Sequence, residues 1–434
     1  MPKVTTDDKK IQQLLSRGTA EIIVKENLEK KLRSGKKLRV KLGIDPTGSV
    51  LHLGHAVVLR KLKEFQDLGH QVIFLIGDFT ARIGDPTGRS KERKPMTEKE
   101  IKQNMKNYVK QASLVLDINK VEVKYNSEWL KNMDLKDVIT LTSKATYAQI
   151  AQRGDFKKRI KEDADLTLQE FMYPIMQGYD SVALKADVEI GGTDQKFNLL
   201  MGRQIQKRYG HEPQDVITCP LLIGLDGKHK MSKSLDNYIA LTDAPEEMYG
   251  KIMTYPDSMI ISGLELLTDI SSEVIKNIEK SLAEGENPMR YKKMMAFEIV
   301  KTIKGVKEAQ GAQVYFERTI QQKEIPQKIE IINLRERYSD LLAQIKKCKD
   351  LADKKNREEL LESLRSLSDK NSIINILVGI GLATSKGEAR RLIEQGGIKI
   401  DGEVIKDANK IIEITKDGIL VQRGKRQFVK VVKE

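Results

Sequence analysis

Lys41-Leu-Gly-Ile-Asp-Pro-Thr-Gly-Ser-Val-Leu-His-Leu-Gly-His55 is the stretch of sequence that decides the fold. Just before and into it, residues 38–44 alternate β-branched and aliphatic side chains, which predicts a short strand. Residues 45–48, Asp-Pro-Thr-Gly, end that strand because proline fixes φ and glycine admits positive φ. From Ala56 onward apolar residues recur at helical spacing until Leu68-Gly69, which predicts a helix.

Two histidines, His52 and His55, therefore lie where the carboxyl end of a strand leads into the amino end of a helix. That junction offers unpaired N–H groups and the positive end of the helix dipole, which suit a polyphosphate. Gly54 leaves room for a flat ring against the backbone. Alone, H-x-G-H is a weak signal, since two surface histidines at the start of a helix would also match it. No metal site is predicted, because no third ligand lies at a usual spacing.

Length and composition set broad limits on what the chain can be. With 434 residues, 39% of them hydrophobic and 32% charged, two or three globular domains are expected. No apolar run approaches a membrane span, and no signal-peptide core is present, so no membrane role is expected. Cys219 and Cys348 give no disulfide framework, which favours a cytoplasmic location. The net charge of +14 fits either a nucleic-acid partner or a lysine-rich proteome, and composition leaves both open.

Further strands and helices alternate along the first half of the chain. Strands are predicted at residues 72–76, 121–125, 187–190 and 216–219, and such alternation predicts an α/β fold with a parallel, doubly wound, Rossmann-like sheet. In such sheets ligands bind at the carboxyl ends of the strands. Amphipathic helix is predicted over residues 8–36, and Thr97 with Glu100 predicts a helix reaching about Leu116.

Three domains are predicted from this pattern. Residues 1–240 are predicted to form the Rossmann-like α/β domain, residues 241–365 an α-helical domain and linker, and residues 371–434 a small α+β domain. Residues 245 to about 365 are expected to be helical throughout, with charged runs on solvated faces. In the last domain, Ser385 and Glu388 predict a capped helix, and the Asp-Gly pair at 401–402 predicts a hairpin.

A second motif, Lys230-Met-Ser-Lys-Ser234, changes the interpretation of the histidines. In this order, H-x-G-H and K-M-S-K-S resemble the paired signatures of class I aminoacyl-tRNA synthetases. The residues between them narrow the resemblance to the tyrosyl-tRNA synthetase family, densely from about residue 40 to 240 and again from about 371 to 432. The resemblance implies a ligase that activates L-tyrosine with ATP and Mg²⁺ and transfers it to tRNA(Tyr), and it implies a homodimer.

The activation step needs cations more than it needs a base. A substrate carboxylate is already ionised at neutral pH when it attacks the α-phosphorus of ATP. The protein must place the reactants and stabilise charge on the transferred and leaving phosphates, for which cations on loops are suited. The candidate cations are Lys230 and Lys233 of the second motif and Arg89 and Arg93 of a polar loop. Solvent-exposed charge is the alternative, but the order of residues in the second motif favours function.

The resemblance assigns residues to ATP. It places Thr47 and His52 at the terminal phosphates, and Gly54 and His55 near ribose and adenine. The remaining ATP-binding candidates are Gly192, Asp194, Lys230, Met231, Ser232 and Lys233. Asp194 would hold the ribose hydroxyls, although a helix cap would also explain it, and the two roles can coexist.

A tyrosine pocket is assigned in the same way. Spacings of four and three put Tyr173, Gln177 and Asp180 on one helical face. By the resemblance, Asp180 accepts the phenolic hydroxyl, while Tyr173, Gln177 and Asp85 receive the α-ammonium. A buried carboxylate facing phenylalanine would lose its partner, and this family is the standard example of rejecting phenylalanine without editing. The full set of tyrosine-binding candidates is Lys41, Gly43, Asp45, Asp85, Tyr173, Gln177, Asp180 and Gln195.

Lys41 departs from the family pattern. Many members carry a tyrosine there, where it makes a second contact with the substrate hydroxyl. Three alternatives are open: Lys41 donates to the phenolic oxygen, it neutralises Asp180, or it points into solvent.

The C-terminal domain resembles a small RNA-binding domain found in ribosomal proteins and in bacterial tyrosyl enzymes. Its cations suit phosphate contacts, and the lack of interleaved aromatic residues favours recognition of RNA shape over base stacking. The candidate tRNA-binding residues are Arg390, Arg391, Arg423, Lys425 and Arg426.

Three rival functions share some of these features. A tryptophanyl enzyme shares the nucleotide motifs, but the Tyr-x-x-x-Gln-x-x-Asp pattern at 173–180 argues against it. A non-catalytic RNA-binding relative should have lost some ATP residues, yet the candidates are present. A simple nucleotidyltransferase would explain the histidines but not the RNA-binding end.

Overall fold

The computed structural model of the chain describes residues 4–87, 96–322, 324, 329–347, 358, 360–365, 372–415, 417–424 and 427–432. Two compact units make up the chain, Met1–Ala312 and Gln313–Glu434. Within the described ranges, no helix is both long enough and apolar enough to cross a membrane. The borders predicted at residues 240 and 365 stay predictions.

A six-stranded sheet forms the centre of the first unit, with the strand order β1-β6-β5-β2-β3-β4. Its strands are β1 Glu21–Ile23, β2 Arg39–Ile44, β3 Gln71–Ile76, β4 Val121–Tyr125, β5 Val188–Gly192 and β6 Asp215–Cys219. All neighbouring strands from β6 to β4 are parallel, and β1 alone pairs antiparallel, with β6. The predicted α/β class with a parallel sheet is therefore confirmed.

Helices cover the sheet and follow it in the chain. The helices of this unit are α1 Asp8–Ser16, α2 Lys25–Arg33, α3 Leu53–Asp67, α4 Glu98–Met105, α5 Tyr108–Ala112, α6 Ser127–Leu130, α7 Leu135–Thr142, α8 Tyr147–Ala151, α9 Gly154–Lys161, α10 Leu168–Ala183, α11 Lys196–Arg208, α12 Pro245–Ile252, α13 Ile260–Leu267, α14 Ser272–Ala283 and α15 Pro288–Lys304, and α16 Val306–Phe316 spans the division between the units. Because helices lie over the sheet, β3 carries a continuous apolar run and its residues 72–76 are all buried.

The first strand of the sheet was not predicted. The helix expected over residues 8–36 is broken into α1, β1 and α2, because Gly18 adopts φ +59° and residues 21–23 pair with β6. The helix expected to reach Leu116 is likewise divided into α4 and α5, with Asn107 outside helical geometry between them.

The second unit is built on a five-stranded sheet with the order β7-β11-β10-β8-β9. Its elements are β7 Glu330–Asn333, α17 Leu334–Lys347, α18 Ile373–Gly379, α19 Lys386–Glu394, β8 Ile398–Ile400, β9 Glu403–Val404, β10 Ile419–Arg423 and β11 Gln427–Val432. The hairpin between β8 and β9 is confirmed, with Asp401 and Gly402 both at positive φ. The expectation of helix throughout residues 245–365 is wrong, because β7 pairs in parallel with β11 almost a hundred residues later.

Candidate active site

A cavity of about 390 Å³ opens at the carboxyl ends of β2, β3 and β5 in the first unit. The structure brings together in its wall every described residue that the sequence assigned to tyrosine or ATP. Those residues are Lys41, Gly43, Asp45, Thr47, His52, Gly54, His55, Asp85, Tyr173, Gln177, Asp180, Gly192, Asp194, Gln195, Lys230, Met231, Ser232 and Lys233. Arg89 and Arg93 lie outside the described residues. The individual roles of all these candidate residues remain predictions.

The two histidines cap helix α3 in a reciprocal way. The backbone N–H of Gly54 donates to Nδ1 of His52 (3.2 Å), and the N–H of His52 donates to Nδ1 of His55 (3.1 Å). Since each Nδ1 accepts a hydrogen bond, each neutral ring carries its proton on Nε2. Burial, together with the charge of Lys233, lowers the pKa of His52 to about 3, and burial lowers that of His55 well below its ordinary value. Both rings are therefore neutral N–H donors in the cavity wall at neutral pH.

The loop before the histidines is fixed by side chains from α4 and α5. Asn104 donates to the carbonyl of Pro46 (3.0 Å), and Gln111 donates to the carbonyl of Ser49 (2.8 Å). The Gln111 side chain also accepts from the N–H of Leu51 (2.7 Å). These bonds satisfy backbone groups of the loop between β2 and α3, so they hold Thr47 and its neighbours in place.

The second motif reaches this loop from the other side. Nζ of Lys233 donates to the carbonyl of Val50 (3.2 Å), and a Cβ added to Gly48 would lie 2.9 Å from that Nζ. Gly48 therefore leaves the space that the lysine occupies. Nζ of Lys230 lies 2.6 Å from a carboxylate oxygen of Asp194, so this pair links the second motif to the end of β5. Both lysines are thus positioned over the same cavity.

Asp85 lies at the centre of a polar cluster. Its Oδ1 accepts from the N–H of Thr87 (2.9 Å) and its Oδ2 accepts from Gln195 (2.7 Å). The Arg153 guanidinium lies 3.4 Å from Oδ1. Burial acts to raise the pKa of Asp85, but the charge of Arg153 and the hydrogen bonds from Thr87 and Gln195 outweigh it and hold that pKa below its ordinary value. Asp85 is therefore an anion at neutral pH.

A second carboxylate, Asp45, faces the same space. It accepts from the hydroxyls of Thr80 (2.8 Å) and Tyr173 (2.9 Å). Desolvation in the cavity raises the pKa of Asp45 to about 7, although these two hydrogen bonds oppose the rise. A Cβ on Gly77 would lie 2.0 Å from Oδ1 of Asp45, so only glycine fits at the end of β3. The Tyr173 hydroxyl stays protonated, since burial raises its pKa well above the ordinary value.

Asp180 forms the deep end of the cavity and is 2% exposed. Its two carboxylate oxygens accept from Nε1 of Trp129 (2.8 Å) and from the amide of Asn126 (3.3 Å). Burial raises the pKa of Asp180 to about 7, while the charge of Lys41 and these two donors oppose the rise. One further buried polar atom in the wall, Oε1 of Gln177, accepts no hydrogen bond. The cavity thus offers acceptors for a hydroxyl and for a cation.

Lys41 is fully buried, so the alternative in which it points into solvent is wrong. Its Nζ lies 2.9 Å from Oε1 of Glu189 and donates to Oγ of Ser181 (2.8 Å). The charge of Lys41 acts on Asp180 and lowers its pKa. The ion-pair partner of Lys41 is therefore Glu189, which none of the three alternatives named, and donation to the phenolic oxygen and neutralisation of Asp180 stay predictions.

Sequence reasoning missed several residues of this site. Asn126 and Trp129 follow the carboxyl end of β4, and the rule that ligands bind at strand ends could have found them. Arg153 and Glu189 had no such signal. Arg153 is brought to Asp85 by helices that the sequence does not place relative to the sheet, and Glu189 is a buried residue inside a strand.

The tRNA-binding candidates belong to the second unit. Arg390 and Arg391 are exposed on α19, whereas Arg423 pairs with Glu388 (2.9 Å) and is partly buried. Lys425 and Arg426 lie outside the described residues. Among the described side chains, no group of three or more His, Cys, Asp or Glu is arranged to hold a metal ion.

Comparisons with known proteins agree on one family. A family model described as "tRNA synthetases class I (W and Y)" matches residues 33–321, and one described as "S4 domain" matches residues 373–418. The chain is 46% identical to the tyrosine–tRNA ligase of Thermotoga maritima, over 96% of both chains. It is 45% identical to that of Aquifex aeolicus, over 97% of this chain and 98% of the relative.

Solved structures give the same fold. The tyrosyl-tRNA synthetase of Archaeoglobus fulgidus, in complex with L-tyrosine, matches with a TM-score of 0.58 and 24% identity, over 71% of this chain and all of that one. A truncated mitochondrial tyrosyl-tRNA synthetase of Coccidioides posadasii matches with a TM-score of 0.60 and 24% identity, over 71% of this chain and 92% of that one.

The raised pKa of Asp180 leads to a test by thermal unfolding. Its folded pKa of about 7 lies above the ordinary value of 3.8, so its contribution to stability is complete below pH 3.8 and is lost as the pH rises through 7. Asp180→Asn cannot ionise and escapes this loss. We expect the melting temperature of the variant, relative to wild type, to increase between pH 5 and pH 8. A difference that stays constant or falls over that range would contradict the assigned burial of this charge.

Proposed function

The chain belongs to the tyrosine–tRNA ligases among the class I tRNA synthetases, and from that premise we propose how its cavity carries out the reaction. The enzyme activates L-tyrosine with ATP, releasing pyrophosphate, and transfers the tyrosine to tRNA(Tyr). The observation that carries the proposal is that one cavity is lined both by carboxylate acceptors in its deeper part and by neutral and cationic donors at its mouth.

We assign the deep end to the tyrosine side chain. Asp180 is proposed to accept the phenolic hydroxyl, because its carboxylate lies in the wall and an anion is the stronger acceptor. Lys41 and Gly43 of β2 also line the cavity and are assigned to this end. An enzyme that hydrogen-bonds a substrate hydroxyl in this way rejects phenylalanine, since the buried carboxylate would be left without that partner.

We assign the middle of the cavity to the α-ammonium and α-carboxylate of tyrosine. Asp85 is held as an anion, and Gln177 has an acceptor oxygen with no donor, so both suit an ammonium group. Tyr173 and Asp45 complete this side. Gln195 donates to Asp85 in the structure and is placed near the substrate carboxylate.

We assign the mouth to ATP. The Nε2–H groups of His52 and His55 are neutral donors beside the amino end of α3, which suits the terminal phosphates without adding a charge that titrates. Thr47 adds a hydroxyl, and Gly54 has no side chain that would block a ring. On the other side lie Gly192, Asp194, Met231 and Ser232, with Asp194 proposed to hold the ribose hydroxyls.

The cations act on the transferring phosphate. The carboxylate of tyrosine attacks the α-phosphorus and pyrophosphate leaves, so negative charge builds on the leaving group. Lys230 and Lys233 supply fixed positive charge there, and Arg89 and Arg93 are proposed to act from the neighbouring loop. Mg²⁺ is proposed to enter with ATP, bound to its phosphates. The ion pair of Lys230 with Asp194 ties this motif to the ribose side.

The second unit is proposed to bind tRNA. Its match to an S4 domain and the exposed Arg390 and Arg391 support phosphate contacts on α19. Arg423, Lys425 and Arg426 are proposed to extend this surface, although the guanidinium of Arg423 also pairs with Glu388.

A homodimer in the cytoplasm completes the proposal. Large apolar side chains on α7, α8 and the start of α10 are strongly exposed, namely Leu135 (74%), Ile139 (61%), Tyr147 (67%) and Leu168 (84%). A second copy covering this face would bury them, and sedimentation mass measurement tests this. Cell fractionation tests the location.

Two alternative functions are less well supported by these observations. The matched relatives are tyrosine–tRNA ligases, which removes the support for a tryptophanyl enzyme. A non-catalytic RNA-binding protein would have no reason to keep the donors of His52 and His55 and both lysines around one cavity.

Lys233→Ala tests the role of the second motif. We expect it to slow tyrosyl-adenylate formation by on the order of 2–4 kcal/mol in activation free energy, with tyrosine affinity nearly unchanged, because this cation acts on the leaving pyrophosphate. Stopped-flow and pyrophosphate-exchange kinetics measure it. Lys228→Ala, an exposed lysine of the same loop outside the cavity, is the control and should have no effect. Unchanged kinetics of Lys233→Ala would remove the motif from the mechanism.

Asp180→Ala tests the recognition of the hydroxyl. We expect the preference in kcat/KM for tyrosine over phenylalanine to fall by about 10- to 100-fold, the worth of roughly 1.5–3 kcal/mol for a hydrogen bond to a charged group. Phenylalanine is the comparison substrate, and its kcat/KM should rise, because Asp180→Ala removes the carboxylate that phenylalanine leaves without a partner. A preserved preference would show that another group reads the hydroxyl.

A truncation separates the two steps of the reaction. A chain ending at residue 322 keeps the cavity and removes the whole sheet of the second unit, including β7. We expect tyrosine-dependent pyrophosphate exchange to persist and tRNA charging to fall by more than about tenfold, because phosphate contacts are lost. The salt dependence of the remaining tRNA binding should also become shallower. Full charging at physiological salt would argue against RNA binding by the second unit.

A further inference from the structure

A network of buried side chains lies at the deep end of the cavity, and Lys41 and Glu189 of this network form part of the cavity wall. Lys41 of β2 and Glu189 of β5 form an ion pair at 2.9 Å, and their side chains are 0% and 2% exposed. Oγ of Ser181 accepts from Lys41 and donates to Oε2 of Glu189 (3.2 Å), and the amide of Gln214 donates to the same Oε2. Every charge in this network therefore has a partner inside the protein.

Helix α11 closes the network off from water at a glycine. A Cβ added to Gly202 would lie 2.6 Å from Nε2 of Gln214, 3.0 Å from Oγ of Ser181 and 3.1 Å from Oε2 of Glu189. The close approach of the helix backbone leaves no space for solvent there. A fully desolvated lysine–carboxylate pair contributes little net stability, because the cost of removing both charges from water offsets their attraction. Such a pair therefore needs an explanation other than stability.

The position of the pair supplies that explanation. Lys41, Glu189 and Asp180 all line the same cavity, and Ser181, which holds Lys41, is the residue after Asp180 on α10. The charge of Lys41 acts on Asp180 in the direction that favours its anion, whereas that of Glu189 acts in the opposite direction. Where the lysine charge is held thus decides how strongly Asp180 can accept a hydrogen bond.

We propose that Glu189 is a positioning residue for substrate recognition: its carboxylate, with Ser181, holds the Lys41 ammonium beside Asp180 without letting the lysine occupy the acceptor that the substrate hydroxyl needs. The charge of Lys41 favours the anion of Asp180, and Glu189 keeps Lys41 from pairing with that anion. This inference rests on the proposed role of Asp180 and adds to it a reason for the lysine in β2.

Several other groups face Asp180 from the elements packed around it. They are Asp45 after β2, Asn126 and Trp129 after β4, and Tyr173 on α10. Burial raises the pKa of Asp180 to about 7, so its ionisation falls within the range where the enzyme can be assayed. The ratio of the dissociation constants of phenylalanine and tyrosine cancels the titration of their shared α-ammonium. That ratio, measured between pH 5.5 and 8.5, should rise through a midpoint as Asp180 ionises.

Two variants are expected to move this midpoint in opposite directions. Lys41→Met removes the charge that favours the anion, so the midpoint should move up, with tyrosine affinity at least about tenfold weaker at pH 7 and recovering at higher pH. Glu189→Gln leaves Lys41 without its counter-ion, so the lysine should pair with Asp180. The midpoint should then move down, and the preference for tyrosine should be reduced at every pH.

The controls separate this role from a merely structural one. Glu64→Gln removes the carboxylate that pairs with another buried lysine, Lys61, which lies outside the cavity wall. It should lower the melting temperature and leave the midpoint unchanged. If Lys41→Met does not fold, Lys41→Gln replaces it, because it also lacks the charge but can still donate to Glu189. The proposal would be overturned if the midpoints of the Lys41 and Glu189 variants stay at the wild-type value, or if both move in the same direction.

Asp180→Asn distinguishes this proposal from the function on which it rests. If that variant discriminates between tyrosine and phenylalanine as wild type does, with the same pH dependence, the role of Asp180 itself is wrong. If Asp180→Asn loses both the discrimination and its pH dependence, but the Lys41 and Glu189 variants leave the midpoint unchanged, only the positioning role fails.

Discussion

The carboxylates in the cavity wall are buried away from bulk water, and the rest of the site depends on this constraint. Each carboxylate must be neutralised or hydrogen-bonded by a partner from elsewhere in the chain. Asp85 is held as an anion by Arg153, Thr87 and Gln195. Asp180 accepts hydrogen bonds from two side chains that follow β4, and these bonds and the charge of Lys41 favour its anion. The parallel sheet makes this possible, since it brings the ends of distant strands to one edge.

The mouth of the cavity, at the other end from Asp180, is lined by neutral donors and lysines instead of carboxylates with buried partners. There the histidines are kept neutral by burial, and their Nδ1 atoms are used to cap α3, so that only the Nε2–H groups remain to donate. Positive charge comes instead from lysines of the second motif, which lie against the loop that follows β2. Donors that do not titrate near neutral pH thus lie beside the ammonium groups of lysines, and the proposed mechanism gives the two kinds of group separate tasks.

The sequence predicted local structure and family features well, and long-range pairing poorly. Strand β2, helix α3 and the Asp401-Gly402 turn follow from apolar spacing and turn residues, which act over a few positions. Strands β1 and β7 did not, because each is short and exists only through pairing with a strand far away in sequence. Lys41 was recognised as a departure, but its partner Glu189 was not, since no pattern marks a carboxylate inside an apolar strand as the partner of a particular lysine. Arg153 was missed for the same reason.

Amino-acid-dependent ATP–pyrophosphate exchange tests the central claim most directly, because it measures activation in this cavity without tRNA. With tyrosine, phenylalanine and tryptophan each supplied to the full chain, we expect rapid exchange with tyrosine and at most weak exchange with the other two. Exchange as fast with tryptophan or phenylalanine as with tyrosine would contradict the assignment of Asp180 and its network to the substrate hydroxyl. No exchange with any of the three would contradict the assignment of the cavity to amino-acid activation.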